Sequence, residues 1–176
     1  MKRIFLLFGV ILAAQAEVVD SAANGFTVRT TISLKAPPDA VYKKFVENIG
    51  EWWNSAHTFS GDAHNLRIEA KPGGCLCEKL PNEGFVRHLE IVYVRPGKNI
   101  VLHGAMGPMQ PLAMTGSLSI NLMAENDGTK LVATYALAGY LPKGANTFAA
   151  PVDMMLAEQF TRLQRYVETG SAAAPK

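Results

Sequence analysis

The sequence has no large charge excess, only two cysteines and no apolar run long enough to cross a membrane. Its 176 residues include 17 basic and 15 acidic side chains, so the formal net charge is only +2. Nucleic-acid-binding proteins depend on a basic surface for phosphate contacts, and this composition argues against that class. Because 48% of the residues are hydrophobic, intrinsic disorder is also excluded. The chain is therefore predicted to form one folded domain.

The motifs of several enzyme classes are also missing. The sequence contains no dinucleotide-binding glycine fingerprint, no phosphate-binding loop and no H-E-x-x-H pair. Residues 116–119 lack the second glycine of G-x-S-x-G, so no nucleophile elbow is expected there. Residues 88–90 match the H-x-E half of the zinc deaminase signature, but the downstream P-C-x-x-C is absent. No catalytic residue is therefore assigned, and neither a metal nor a cofactor is expected.

The N-terminus has the pattern of a secretory signal peptide. Lys2 and Arg3 precede an uncharged apolar run over residues 4–14, which is shorter than the roughly 20 residues a membrane span needs. A small-x-small pattern ends at Ala16, and we expect cleavage after this residue. Loss of this segment would leave 15 basic and 15 acidic residues. The protein is thus predicted to be a secreted, periplasmic protein that is not stably inserted in a membrane after cleavage.

The pattern of apolar and polar residues in the remaining chain is typical of a strand-rich domain with helices near its two ends. Fifteen glycines and ten prolines indicate many turns, which favours strands over a helical bundle. Two short helices are predicted at about 38–46 and 47–53, after the first strand. One continuous apolar stripe from Phe148 to Val167 predicts a long final helix, which Gly170 ends. The predicted strands cover residues 26–34, 66–70, 75–80, 85–94, 99–103, 117–123 and 130–138.

This order predicts an α+β fold in which an antiparallel sheet of six to seven strands curves around the final helix. The domain is expected over residues 24–169, followed by a flexible tail at 170–176. A curved sheet and a straight helix cannot match along their whole length, so a cavity is expected between them. The loops at 104–115 and 140–150 are apolar and could cover its mouth.

The mature chain resembles the START-like, or SRPBCC, superfamily with its Bet v-type helix-grip fold. Within it, the chain is most similar to the branch that includes the activator of the heat-shock-protein ATPase. The resemblance covers residues 25–169 and depends on the terminal helix together with Trp52-Trp53, Pro72-Gly73-Gly74 with Glu78, Arg95-Pro96-Gly97-Lys98 and Asp127-Gly128-Thr129. A secretory signal departs from the cytosolic chaperone activators.

The resemblance implies a cavity that takes apolar or amphipathic ligands, as in lipid carriers, hormone receptors, pollen allergens and polyketide cyclases. Fold alone does not choose between a carrier and an enzyme. We expect a monomer or weak homodimer that binds a small hydrophobic ligand, with catalysis less expected than binding. The residues predicted to contact the ligand are Trp52, Trp53, His57, Phe59, Cys75, Cys77, Met114, Tyr135, Met155 and Phe160.

Three residues are candidates for proton transfer if the protein is instead a cyclase- or hydratase-type enzyme: His88, Glu78 and Tyr135. His88 and Glu90 are predicted to share a strand face, where they could form an acid–base pair or face solvent. Glu78 stands among apolar neighbours, so it is either a cavity acid with a raised pKa or a surface partner of Lys79 or Lys130.

The two cysteines allow three interpretations. In a regular strand, Cys75 and Cys77 point to one face about 6.6 Å apart, too far for a disulfide, and are predicted to stay unpaired. They could be small apolar residues of a cavity wall or a locally distorted redox pair. They could also belong to a thiolate metal site, the basis of a third functional hypothesis, a metal-handling protein. Its other ligands would come from His57, His64, His88 and His103, or from the methionines of the 104–115 loop.

Overall fold

The computed structural model describes residues 14–174 as eight antiparallel strands and three α-helices. The sheet has the order β1-β2-β8-β7-β6-β5-β4-β3, with β1 and β3 at its edges. The strands are β1 (Gln15–Ala22), β2 (Gly25–Leu34), β3 (Leu66–Ile68), β4 (Cys75–Lys79), β5 (Phe85–Arg95), β6 (Asn99–His103), β7 (Ala113–Glu125) and β8 (Gly128–Tyr140). The helices are α1 (Pro38–Glu47), α2 (Ile49–Trp52) and α3 (Ala149–Thr169).

The predicted helix-grip architecture is confirmed, with one additional strand. The sheet has eight strands rather than six or seven, because β1 pairs with β2 ahead of the first predicted strand. The two short helices therefore follow the second strand. All side chains of β1 are exposed, so β1 lacks the apolar alternation by which a strand is recognised in a sequence. The predicted signal segment covers residues 1–16, and its residues 1–13 lie outside the part of the chain that the structure describes.

Alternation places the core on one face of the sheet. In β2, Phe26, Val28, Ile32 and Leu34 are buried, and the partner strand β8 buries alternate residues in the same way. A two-residue turn joins β7 and β8, where Glu125 pairs with Gly128, as the sequence predicts.

Helix α3 covers this apolar face of the sheet. Its buried side chains repeat at helical spacing from Ala149 to Val167, and Gly170 ends the helix with φ 79°. A hydrogen bond of 2.9 Å from Arg162 Nε to the Trp52 carbonyl oxygen ties α3 to α2. Trp52 is sealed in the core, where its ring stacks on Phe45 at 5.5 Å.

Candidate functional site

A cavity of about 370 Å³ lies near the first turns of α3. Such a volume is within the range of small-molecule sites. Its wall comes from four parts of the chain: α3 and the turn before it, the segment after α2, strands β3 to β5, and the loop between β6 and β7. The lining residues are Trp53, Ala56, His57, Thr58, Phe59, Leu66, Leu76, His88, Met106, Gly107, Pro108, Met109, Phe148, Pro151, Val152 and Met155.

A buried histidine–glutamate pair lies at this wall. His88 Nε2 is 2.8 Å from Glu78 Oε2, and the two residues are 7% and 0% exposed. Glu78 also accepts hydrogen bonds from the backbone N–H groups of Phe59, at 3.1 Å, and Ser60, at 2.5 Å. The Phe59 ring stacks on the His88 ring with centroids 5.8 Å apart. The pair therefore fixes the 59–60 segment against the sheet.

A β-bulge directs His88 inward. Leu76 pairs with Leu89 and Cys77 pairs with Arg87, so His88 is an extra residue of β5 between two paired positions. Consecutive residues His88 and Leu89 are both buried as a result. The prediction that His88 and Glu90 share a face is wrong for the same reason. Glu90 pairs with Cys75 and keeps a half-exposed side chain near Arg87.

The expectation of a raised pKa for Glu78 is also wrong. Burial acts to raise the pKa, but the hydrogen bonds from Ser60, His88 and Phe59 together outweigh burial and lower the pKa of Glu78. Glu78 is thus a buried carboxylate, and neither predicted surface partner is used. Such a group can orient a histidine and compensate a positive imidazolium.

A second histidine–glutamate pair stands at the rim of the cavity. His57 Nε2 is 3.1 Å from Glu158 Oε2, and the Asn54 amide donates to Glu158 Oε1 at 2.5 Å. The Asn54 backbone N–H donates to Gln159 Oε1 at 2.8 Å. Burial acts to raise the pKa of Glu158, but the hydrogen bonds from Asn54 and His57 lower it. These contacts attach the segment after α2 to α3.

Tyr135 holds a loop rather than facing the cavity. Its hydroxyl donates to the Gly104 carbonyl oxygen at 2.9 Å and accepts from the Met106 backbone N–H at 3.1 Å. Burial raises the pKa of Tyr135 far above the ordinary value. The side chain is fully buried, so it positions the loop that brings Met106 to the wall and does not suit proton transfer.

The structure brings only part of the predicted ligand-contacting set to the cavity. Trp53, His57, Phe59 and Met155 line it. Other predicted ligand contacts lie away from the cavity. Trp52, Met114 and Phe160 pack in the core, and Tyr135 hydrogen-bonds the loop at Gly104. Cys75 and Cys77 lie on the face of β4 opposite the cavity-lining Leu76.

The prediction that the two cysteines stay unpaired is wrong. Cys75 and Cys77 form a disulfide, with their Cα atoms 5.4 Å apart. The prediction assumed a regular strand, in which the two Cα atoms are about 6.6 Å apart, but β4 is contracted at this point and the two side chains meet. The bond also removes the two thiolates of the proposed thiolate metal site, and residues 14–174 contain no cluster of three or more His, Cys, Asp or Glu side chains that could hold a metal ion.

Several wall residues were not assigned from the sequence. Phe148 and Val152 belong to the predicted stripe of the final helix, but the stripe does not show which of its members border a void. Glu158 carries no sequence signal, because its role depends on a contact with His57 across 101 positions. None of the helices in the described part of the chain combines the length and apolarity of a membrane span.

Several solved structures have the same architecture as this chain. The solution structure of the Aha1 dimer from Colwellia psychrerythraea matches with a TM-score of 0.58 and 17% identity, covering 82% of this chain and 97% of that chain. CalU16 from Micromonospora echinospora matches with a TM-score of 0.56 and 13% identity, covering 89% and 86%. An AHSA1-like protein from Rhizobium etli matches with a TM-score of 0.54 and 23% identity, covering 86% of each chain.

These likenesses define the class of the fold: it is a START-like, or SRPBCC-type, helix-grip fold, as the sequence resemblance predicts. No family model and no curated protein match the sequence. Identities below 25% establish the fold alone.

Proposed function

We propose that this protein is an exported START-like domain that binds a small apolar or amphipathic molecule in the cavity beside α3. The observation that carries the proposal is a concave wall of aromatic, aliphatic and methionine side chains, with one buried polar pair at its side. Such walls are typical of small-molecule sites. Methionine side chains at Met106, Met109 and Met155 suit ligands of irregular shape.

The expected affinity is moderate. Burial of about 300–400 Å² of apolar ligand surface contributes roughly 8–10 kcal/mol at about 25 cal/mol/Å². Loss of rigid-body freedom and ordering of the loops offset several kcal/mol of this gain. We therefore expect dissociation constants of about micromolar for ligands that fill the cavity.

Two adjacent methionines provide a matched test of the site. Met155 lines the cavity, whereas Met154 is 73% exposed. Met155→Trp should fill the void and weaken binding of the apolar probe 2-methoxynaphthalene at least tenfold in calorimetry, while Met154→Trp should leave it unchanged within about twofold. Equal affinities for the two variants would contradict binding at this cavity.

Export is the second part of the proposal. The disulfide supports it, because structural disulfides persist in oxidising compartments and are rare in reducing ones. Cleavage after Ala16 would keep Glu17 and its 3.2 Å ion pair with Arg29, so most of β1 would remain. N-terminal sequencing of the periplasmic protein should start at Glu17. An intact Met1 form confined to the cytoplasm would overturn this part.

A cyclase- or hydratase-type enzyme is the second candidate, and the Glu78–His88 pair is the observation that favours it. A histidine oriented by a carboxylate can accept a proton from a bound substrate, and the carboxylate then stabilises the imidazolium. The two candidates differ in the effect of His88→Ala. Loss of turnover with retained ligand binding would establish the enzyme.

A further inference from the structure

The hydrogen-bond pattern of Glu78 determines the tautomer of His88. Two of the groups at this carboxylate are backbone N–H donors, from Phe59 and Ser60. A carboxylate only accepts hydrogen bonds, so the third partner, His88 Nε2, must also donate. In a neutral imidazole with its proton on Nε2, the other nitrogen, Nδ1, is an acceptor.

The second ring nitrogen of this histidine, His88 Nδ1, has no hydrogen-bond partner within residues 14–174. His88 borders the cavity, and only 7% of the surface of this residue is exposed. A molecule in the cavity that reaches Nδ1 meets an acceptor when the ring is neutral, at a position where little water competes.

Other polar side-chain groups of the described wall already have partners or face water. Trp53 Nε1 donates to the His57 carbonyl oxygen at 3.0 Å, and Thr58 Oγ1 donates to the Ser55 carbonyl oxygen at 2.7 Å. His57 also lines the cavity, but its side chain is 38% exposed at the rim. Water competes there for any hydrogen bond, so His88 is the stronger point of discrimination.

We propose that the cavity selects uncharged apolar molecules that carry a hydroxyl donor, an alcohol or a phenol, and that His88 Nδ1 accepts the hydrogen bond. This inference rests on the proposed ligand-binding function and adds the chemistry of the ligand's polar group. A carboxylate ligand has no proton to donate to Nδ1. It would also lose its hydration close to the negative charge of Glu78, which disfavours binding.

Three naphthalenes of similar size separate these effects at neutral pH in calorimetry on the wild-type protein. 2-Methoxynaphthalene measures apolar binding, 2-naphthol adds a donor, and 2-naphthoate carries a carboxylate. A hydrogen bond of ordinary strength predicts that 2-naphthol binds about three- to tenfold more tightly than 2-methoxynaphthalene. The carboxylate should bind at least tenfold more weakly than 2-methoxynaphthalene.

Two variants locate the acceptor. The preference for 2-naphthol should disappear in His88→Phe and persist in His57→Phe, the matched change at the rim. Loss of the preference in His57→Phe instead would overturn the assignment to His88. If His88→Phe does not fold, the wild-type series still tests the hydroxyl preference, and loss of that preference in His57→Phe still overturns the assignment to His88.

The failures of the two proposals are distinguishable. Equal affinities of wild type for 2-naphthol and 2-methoxynaphthalene, or tightest binding of 2-naphthoate, would overturn the hydroxyl preference while ligand binding stands. Absence of binding by all three compounds would overturn the proposed function together with this inference.

Discussion

At the scale of single residues, Glu78 connects the sheet to the segment that closes the cavity. Its carboxylate has three donors: two backbone N–H groups and the His88 ring. A glutamine has the same shape but presents an NH₂ group where one of these donors now points. Glu78→Gln should therefore lower the free energy of unfolding by about 1–3 kcal/mol, the cost of an unsatisfied buried polar group.

The control for this prediction is Glu69→Gln. Glu69 forms ion pairs with Arg67 at 2.8 Å and Lys71 at 3.5 Å, but these lie on the surface. Exposed ion pairs contribute about 0–1 kcal/mol, so the control should change urea unfolding much less. Equal effects of the two substitutions would contradict the role given to Glu78.

The same variant has a predicted pH dependence. The pKa of Glu78 is below the ordinary 4.5, so the unfolded chain takes up this proton at a higher pH than the folded protein. The resulting stabilisation is complete above pH 4.5 and is lost as the pH falls through the folded-state pKa. The difference in stability between wild type and Glu78→Gln should thus shrink in acid. A difference that stays constant between neutral and strongly acidic pH would argue against an ionised Glu78.

At the scale of elements, β4 and β5 each depart from a regular strand. In β5 the bulge turns His88 toward the cavity, and in β4 a contracted backbone allows the Cys75–Cys77 bond. Both sulfur-bearing residues are buried, at 6% and 4% exposure. The disulfide closes a loop of only three residues, 75–77, so the loop-closure model assigns it only about 1.5 kcal/mol of stability.

This small loop leads to a prediction about reduction. The native protein should resist alkylation without reductant, and its mass should be two daltons below that of the dithiol form. Reduction should lower Tm by about 3–6 °C, since about 1 kcal/mol corresponds to about 2–4 °C at this size. The double variant Cys75→Ala with Cys77→Ala should show no response to reductant. Ready alkylation of the untreated protein would contradict the disulfide.

Elements with clear apolar periodicity could be predicted from the sequence, and irregular ones could not. Strand β2 and helix α3 follow from spacing, because their buried faces repeat every two residues or every turn. Strand β1 has no buried face, and a bulge leaves no period in the sequence. The errors at Cys75, Cys77 and Glu90 all follow from treating β4 and β5 as regular strands.

At the scale of the whole molecule, the sequence resemblance predicted a cavity beside the final helix but not its position along that helix. The void lies near the first turns of α3, so Met155 borders it whereas Phe160, farther along the helix, packs in the core. The cavity position depends on long-range contacts, including Asn54 with Gln159 and Tyr135 with Gly104. Contacts of this kind leave no pattern in a single sequence.

Occupation of this cavity by an apolar molecule can be followed at the methionines of the protein. Three methionines line the cavity, two are exposed elsewhere and one is buried in β7. Methyl-labelled methionine in an NMR titration with 2-methoxynaphthalene therefore gives signals from inside and outside the site. We expect saturable shifts for the lining residues Met106, Met109 and Met155, and unchanged signals for Met114, Met123 and Met154. Shifts confined to the second set, or no shifts at all, would contradict occupancy of this cavity.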